Sequence, residues 1–89
     1  MLWTTFEGHS DEVWYIQFSH NGKYLASASK DGTAIMWSLE TRRAQFVFRD
    51  HEEAVSFLAW SPDDSLIVTC GRDKKVKLWD TKVPYFFRV

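Results

Sequence analysis

A single cysteine, Cys70, in 89 residues excludes an intramolecular disulfide, and such usage fits a reducing compartment. Neither sign of charge prevails: 11 basic residues face 12 acidic ones, so no broad field attracts nucleic acid or a membrane surface. The Lys74-Lys75 pair and Lys77 read as a solvated edge, too few for a nucleic-acid footprint. No stretch approaches the roughly 20 apolar residues of a membrane helix. Met1 to Glu7 lack the basic start and apolar run of a secretory leader. A soluble protein of the cytoplasm or nucleus is expected, with no nucleic-acid or membrane partner. Candidate metal ligands are sparse, since His9, His20, His51 and Cys70 show none of the close pairing zinc requires. Asp31-Gly32 lacks the spaced oxygens of a calcium loop. No metal and no cofactor are expected.

What is present argues for a folded, all-β object. Apolar residues make up 45% of the chain and aromatics 17%, more than a disordered segment carries. Short apolar or alternating runs cover Val13 to Phe18, Tyr24 to Ser29, Ala34 to Trp37, Gln45 to Phe48, Val55 to Trp60, Leu66 to Cys70 and Val76 to Trp79. Tight-turn chemistry separates them at Asn21-Gly22, Asp31-Gly32 and Pro62-Asp63-Asp64. No window sustains helical spacing for three turns. The spacing predicts antiparallel hairpins. At this length they bury only roughly 60–65% of the unfolded surface, a marginal single domain.

Those runs repeat. Residues 9–47 return as residues 51–89 without a gap, His9 as His51, Val13 as Val55, Ser19 as Ser61, Asp31 as Asp73 and Trp37 as Trp79. A period of this length, with Trp near the end of the third strand, marks a propeller blade. Residues 9–48 are assigned to a first blade and residues 49–89 to a second, whose last strand would lie within Val83 to Val89, with Pro84 suited to a sheet edge. Residues 1–8 are assigned to the fourth strand of a preceding blade, because Phe6 matches Phe48. In the first strand of each unit the apolar set is Val13, Ile16 and Phe18, then Val55, Leu58 and Trp60. A spacing of three and then two keeps one face only if a β-bulge adds a residue. Trp14 falls at that bulge, out of phase with the inward set.

Gly8-His9, Phe18-Ser19, Leu25 to Ser29, Asp31-Gly32-Thr33 and Trp37 carry a further signal, as do His51, Trp60-Ser61-Pro62-Asp63, Ile67-Val68-Thr69, Asp73 and Leu78-Trp79-Asp80. With these residues the chain resembles the WD40 repeat family over essentially its whole length. The resemblance implies four-stranded blades around a central channel, here a partial β-propeller of two blades. It also implies a structural hydrogen-bond network in each blade: His9, Ser27, Asp31 and Trp37, then His51, Thr69, Asp73 and Trp79. The competing reading of His9, Ser27 and Asp31 is a hydrolase triad. The duplication weighs against it, because an enzyme seldom builds its nucleophile twice, whereas a buried network keeps polar groups satisfied.

In WD40 proteins the partner-binding rim is lined at three positions per blade. Carried over, these are Glu12, Trp14 and Lys30, and then Ala54, Ser56 and Arg72, with Trp14 as the anchor. The bland alternative packs Trp14 against a neighbouring blade. Three departures loosen the family pattern: Ser38 after Trp37, Asp50 before His51, and Lys74-Lys75 in a turn. Two blades leave lateral faces at Tyr15, Phe18, Phe57 and Trp60 in want of neighbours, and repeat units need about three copies for a continuous core. Further blades are expected from a longer parent chain or from self-assembly. The stretches Asp11 to Ser19 and Ala59 to Gly71 are also similar to the WD-repeat subunits of the GID/CTLH ubiquitin ligases. The function expected is non-catalytic protein–protein scaffolding, of that ligase type if the second resemblance holds. The alternatives are a truncated or vestigial propeller product and, behind it, the hydrolase.

Overall fold

Asn21-Gly22 and Asp31-Gly32 turn the chain where left-handed backbone is needed, with φ of 73° at Gly22 and 88° at Gly32. Between and around these turns the alternating runs pair as a meander. A computed structural model describes residues 1–83 and the backbone of residues 86–88. Its first sheet comprises β1 (Val13–Phe18), β2 (Tyr24–Ser29), β3 (Ala34–Ser38) and β4 (Arg43–Phe48). The second comprises β5 (Val55–Trp60), β6 (Leu66–Gly71), β7 (Val76–Asp80) and β8 (Phe86–Arg88). Each sheet keeps chain order and is antiparallel throughout, and no helix forms among the described residues. Residues 1–12 form no strand, so the strand assigned to residues 1–8 has no ladder in these two sheets. Pro84, the proposed edge residue, lies outside the described residues.

The spacing anomaly in the first strand of each unit is a bulge. Val13 pairs with Ser29 and Tyr15 with Ala28, leaving Trp14 as the extra residue. The second sheet repeats this, Val55 on Gly71 and Phe57 on Cys70, with Ser56 extra. A bulge re-aims a side chain at the end of a ladder, and both bulges sit at the same end of their sheets.

The two sheets pack on each other through small residues facing large ones. Ala26, Ala28, Ala34, Met36 and Phe48 of the first sheet are buried in one cluster with Val55, Leu58, Trp60, Ile67 and Trp79 of the second. The alanines in β2 and β3 let β5 approach closely. Fully burying a side chain such as Leu58 or Ile67 contributes on the order of 1.5–3 kcal/mol. Aromatic contacts rim the cluster: Tyr15 on Phe57 and Phe48 on Trp79, each with centroids 4.7 Å apart.

Two sequence expectations need correction. Trp60 does not lie on an uncovered face: it is buried between the sheets, and its Nε1–H donates to the Gln17 carbonyl at 3.0 Å. Conversely, Val13, Ile16 and Phe18, read as inward-facing, are exposed, because among the described residues no sheet stands on the β1 side of the first blade. His20, exposed in its turn, also makes a specific contact between the sheets. Its backbone N–H and its Nδ1 both reach Asp64 Oδ1 at 2.9 Å, and the Asn21 N–H donates to Oδ2 at 2.9 Å. One carboxylate thus ties a turn of the first sheet to a turn of the second.

Candidate functional site

Ser27 lies mid-strand in β2, opposite Ile35, and Trp37 follows two residues later in β3 on the same face. Trp37 Nε1–H donates to Ser27 Oγ at 2.8 Å. Ser27 Oγ in turn lies 2.6 Å from His9 Nε2, and His9 Nδ1 lies 3.0 Å from Asp31 Oδ2. With the indole donating into Ser27, the bond pattern assigns the serine proton to His9 Nε2 and the His9 Nδ1–H to Asp31. Asp31 also accepts from the Thr33 hydroxyl at 2.6 Å, the Thr33 N–H at 2.8 Å and the Ser10 N–H at 3.0 Å. Burial alone raises this carboxyl's pKa. The bonds from Thr33, Ser10 and His9 outweigh it and hold the group down at about 2.

The second blade rebuilds the relay with threonine. Trp79 Nε1–H donates to Thr69 Oγ1 at 2.8 Å, Thr69 Oγ1 lies 2.8 Å from His51 Nε2, and His51 Nδ1 lies 3.2 Å from Asp73. Burial works against the Asp73 charge, yet bonds from the Glu52 N–H, His51 and the Lys75 N–H keep its carboxyl below the usual range. Gly71, in the place of Ser29, lets His51 and Asp73 close on the strand, because a Cβ there would press on His51 Nδ1 and Asp73 Oδ1.

Chemically, each relay is a chain of satisfied donors running from an indole to a carboxylate. The order of groups is that of a Ser-His-Asp triad, but the setting differs. Ser27 is buried, and its Oγ already receives the indole proton of Trp37, where a nucleophile needs an open approach to a carbonyl.

The rim residues come together at the bulged ends of the sheets. Trp14 and Ser56 are the bulge residues. Lys30 and Arg72 are held by their backbone N–H groups on the carbonyls of Glu12 at 2.9 Å and Ala54 at 2.8 Å. Lys30 Nζ lies 3.6 Å from Glu12, and Ser56 Oγ donates to the Cys70 carbonyl at 3.2 Å. Arg72 reaches across from the second blade and places its guanidinium 5.7 Å from the centre of the exposed Trp14 ring, within cation–π range. Ala54 is a correction: it is buried, and serves the rim only through its carbonyl.

Sequence reasoning missed the Trp14–Arg72 contact, because it joins unlike positions of two repeats and so leaves no mark at the repeat offset. It also missed the partner of Asp50, which is the buried ammonium of Lys77. The signal was available there: Lys77 and Asp50 stand where the first repeat has Ile35 and Gly8.

Comparison with known proteins fits this geometry. The family model described as "WD domain, G-beta repeat" matches residues 2–38 and 42–80. The chain is 47% identical over 77 residues to a WD repeat-containing protein 26 homolog of Arabidopsis thaliana, covering 83% of this chain and 13% of that protein. It is 48% identical over 75 residues to a WD repeat-containing protein WDS homolog of Arabidopsis thaliana, covering 81% and 14%. It is 36% identical over 76 residues to the target of rapamycin complex subunit wat1 of Schizosaccharomyces pombe, covering 85% and 24%. The chain therefore spans a quarter or less of each of these relatives. With two blade-like sheets, a Trp-anchored relay in each and a family match over both repeats, this chain belongs to the WD40 repeat family.

Proposed function

We propose that the chain is a non-catalytic protein-interaction scaffold, a two-blade segment of a WD40 propeller. Its partner surface is the rim carrying Glu12, Trp14, Lys30, Ser56 and Arg72. The observation that carries the proposal is Trp14, an aromatic side chain turned out of the ladder by a bulge and backed by Arg72 from the other blade. Truncating a hot-spot Trp costs about 2 kcal/mol or more of binding, roughly 30-fold in Kd. The test is quantitative co-purification with the tagged chain, comparing Trp14→Ala and Arg72→Ala with the exposed, distant Lys82→Ala. Loss of one common set of proteins from the two rim variants, with unchanged circular dichroism, is the expected result. Equal recovery from all three chains overturns the rim assignment.

The relays are assigned a structural role. A fluorophosphonate probe is therefore expected to leave Ser27 unlabelled, and stoichiometric labelling there would restore the hydrolase reading. Residues 2–7 are proposed as the fourth strand of a preceding blade. The support is that Phe6 stands on Trp37 at 5.1 Å much as Phe48 stands on Trp79 at 4.7 Å. The finer proposal, a subunit of a GID/CTLH-type ubiquitin ligase acting in the cytoplasm or nucleus, rests on residues 11–19 and 59–71 and the single cysteine. Co-purification of RING-type ligase subunits with the wild-type chain supports it, and their absence from a set that Trp14 otherwise captures removes it.

A further inference from the structure

The two blades treat the cation that precedes the turn aspartate differently. Lys30 and Arg72 are repeat equivalents, and each is held by its backbone N–H on the carbonyl of the residue before the leading valine of the first strand. In the first blade that residue is Glu12, whose carboxylate lies 3.6 Å from Lys30 Nζ. In the second blade it is Ala54, which offers no charge. Arg72 has no ion pair among the described residues. Its guanidinium rests instead 5.7 Å from the centre of the Trp14 ring, across the junction between the blades. Arg72 is exposed, and Trp14 remains 37% exposed beside it.

Most other charges at this end of the sheets already have partners. Lys75 lies 3.2 Å from Glu52, Lys77 pairs with Asp50, and Asp31 and Asp73 accept within the relays. Lys74, next but one to Arg72, is exposed and has no ion pair among the described residues, but so are the carboxylates of Asp11 and Glu53. The rim is therefore not a field of one sign, and it offers a polyanion little long-range attraction. A phosphate group is commonly read by a cluster of arginines, and here there is one. A lone guanidinium, planar and with a fork of N–H donors, matches a single carboxylate. The indole beside it suits an apolar side chain.

We infer, resting on the rim assignment proposed above, that Trp14 and Arg72 together recognise an acidic peptide segment of a partner protein, one Asp or Glu next to an apolar side chain. The partner's carboxylate takes in the second blade the place that Glu12 holds in the first. Its apolar neighbour packs on the Trp14 ring. A guanidinium already resting near a ring has less side-chain freedom to lose on binding, which favours the bound geometry. The first blade cannot take the same carboxylate, because Glu12 already occupies Lys30. Recognition thus falls to the junction of the blades, where the aromatic anchor comes from one repeat and the cation from the other.

The experiment is selection of short random peptides, displayed on phage, against the immobilised full chain and its Trp14→Ala variant in parallel. Peptides that bind the wild type and not Trp14→Ala define the rim set. That set is expected to carry Asp or Glu beside an aromatic or aliphatic residue, and selection on Arg72→Glu is expected to exchange the acid for Lys or Arg. A synthetic peptide from the set is then titrated by fluorescence anisotropy. Changing its acid to the amide is expected to weaken binding to the wild type about tenfold, and binding to Arg72→Ala less than about twofold. A rim set without an acid, or equal amide losses on both chains, overturns the inference and leaves the rim assignment standing. A library that yields no Trp14-dependent peptide overturns the rim assignment as well. Binding that tightens about tenfold when phosphoserine replaces the acid would overturn the choice of a carboxylate in favour of a phosphate. Circular dichroism checks each variant, and should Trp14→Ala lose its β signal, Arg72→Ala defines the rim set instead.

Discussion

Gly8 and Ile35 stand in the first repeat where Asp50 and Lys77 stand in the second. A Cβ at Gly8 would lie 2.8 Å from the Trp37 ring and 3.4 Å from Ile35, so the first blade has space for an apolar wall and no side chain opposite it. The second blade fills the same corner with an ion pair between Asp50 and the buried Lys77 ammonium. Burying an ammonium is unfavourable unless a partner compensates, so the two exchanges belong together. Asp50→Gly is expected to lower the urea midpoint clearly, by taking a carboxylate from Lys77. Asp50→Gly with Lys77→Ile, which copies the first blade, is expected to recover more than half of that loss. A double-mutant cycle measures the coupling, and strictly additive losses would mean the pair does not act as a unit. The Asp50 departure from the family pattern is explained by its partner, which lies 27 residues away along the chain.

Asp31 belongs to the same scale. Its carboxyl is at about 2 in the folded chain and near 4 when unfolded. A group depressed on folding contributes stability that is present above its unfolded pKa and lost as pH falls through the folded one. The Asp31 contribution is therefore intact above about pH 4 and disappears as pH falls toward about 2. Asp31→Asn is expected to be less stable than wild type at neutral pH and nearly level with it at pH 2, checked by urea unfolding at several pH values. A stability gap that does not shrink in acid would exclude this origin.

At the scale of the element, strands and turns were the most legible feature of the sequence. Alternation and turn residues mark β1, β2 and β5 at the observed bounds, and the three-then-two spacing announces both bulges. Legibility failed where the repeat itself is silent. The clasp from His20 and Asn21 to Asp64 joins residues 43 and 44 apart, just off the 42-residue period, and nothing in either repeat alone requires it. The Lys74-Lys75 turn looked out of place, yet Lys74 takes the left-handed backbone of its equivalent Gly32, with φ of 67° against 88°. Left-handed backbone costs a non-glycine residue roughly 1–2 kcal/mol, which the second blade sustains. Gly32 has a second constraint, because a Cβ there would lie 3.3 Å and 3.4 Å from the carbonyl oxygens of His51 and Glu53. Gly32→Ala is therefore expected to cost about 1–2 kcal/mol, read by chemical denaturation. Lys74→Gly is expected to cost nothing, and a Gly32→Ala protein of wild-type stability would show that the turn relaxes.

For the molecule as a whole, the stability of a single copy rests on one contact between sheets. A chain of this size has roughly 0.05–0.15 kcal/mol per residue to lose, and truncating a fully buried Leu costs about 2–5 kcal/mol. Leu58→Ala, at the centre of the contact, is thus expected to remove most of the stability and to unfold both sheets in one transition. Ile16 occupies the identical place in the first repeat but is solvent-exposed in the single copy. Ile16→Ala is expected to change the unfolding free energy of dilute, monomeric chain by less than about 0.5 kcal/mol. Sequence pattern alone makes these two positions equivalent, both inward-facing in a blade. What separates them is which neighbour is present, a property of the assembled molecule that no single repeat encodes. Chemical denaturation of both variants in dilute solution distinguishes the cases. A Leu58-like loss from Ile16→Ala in dilute solution would mean that the β1 face is already covered within one chain.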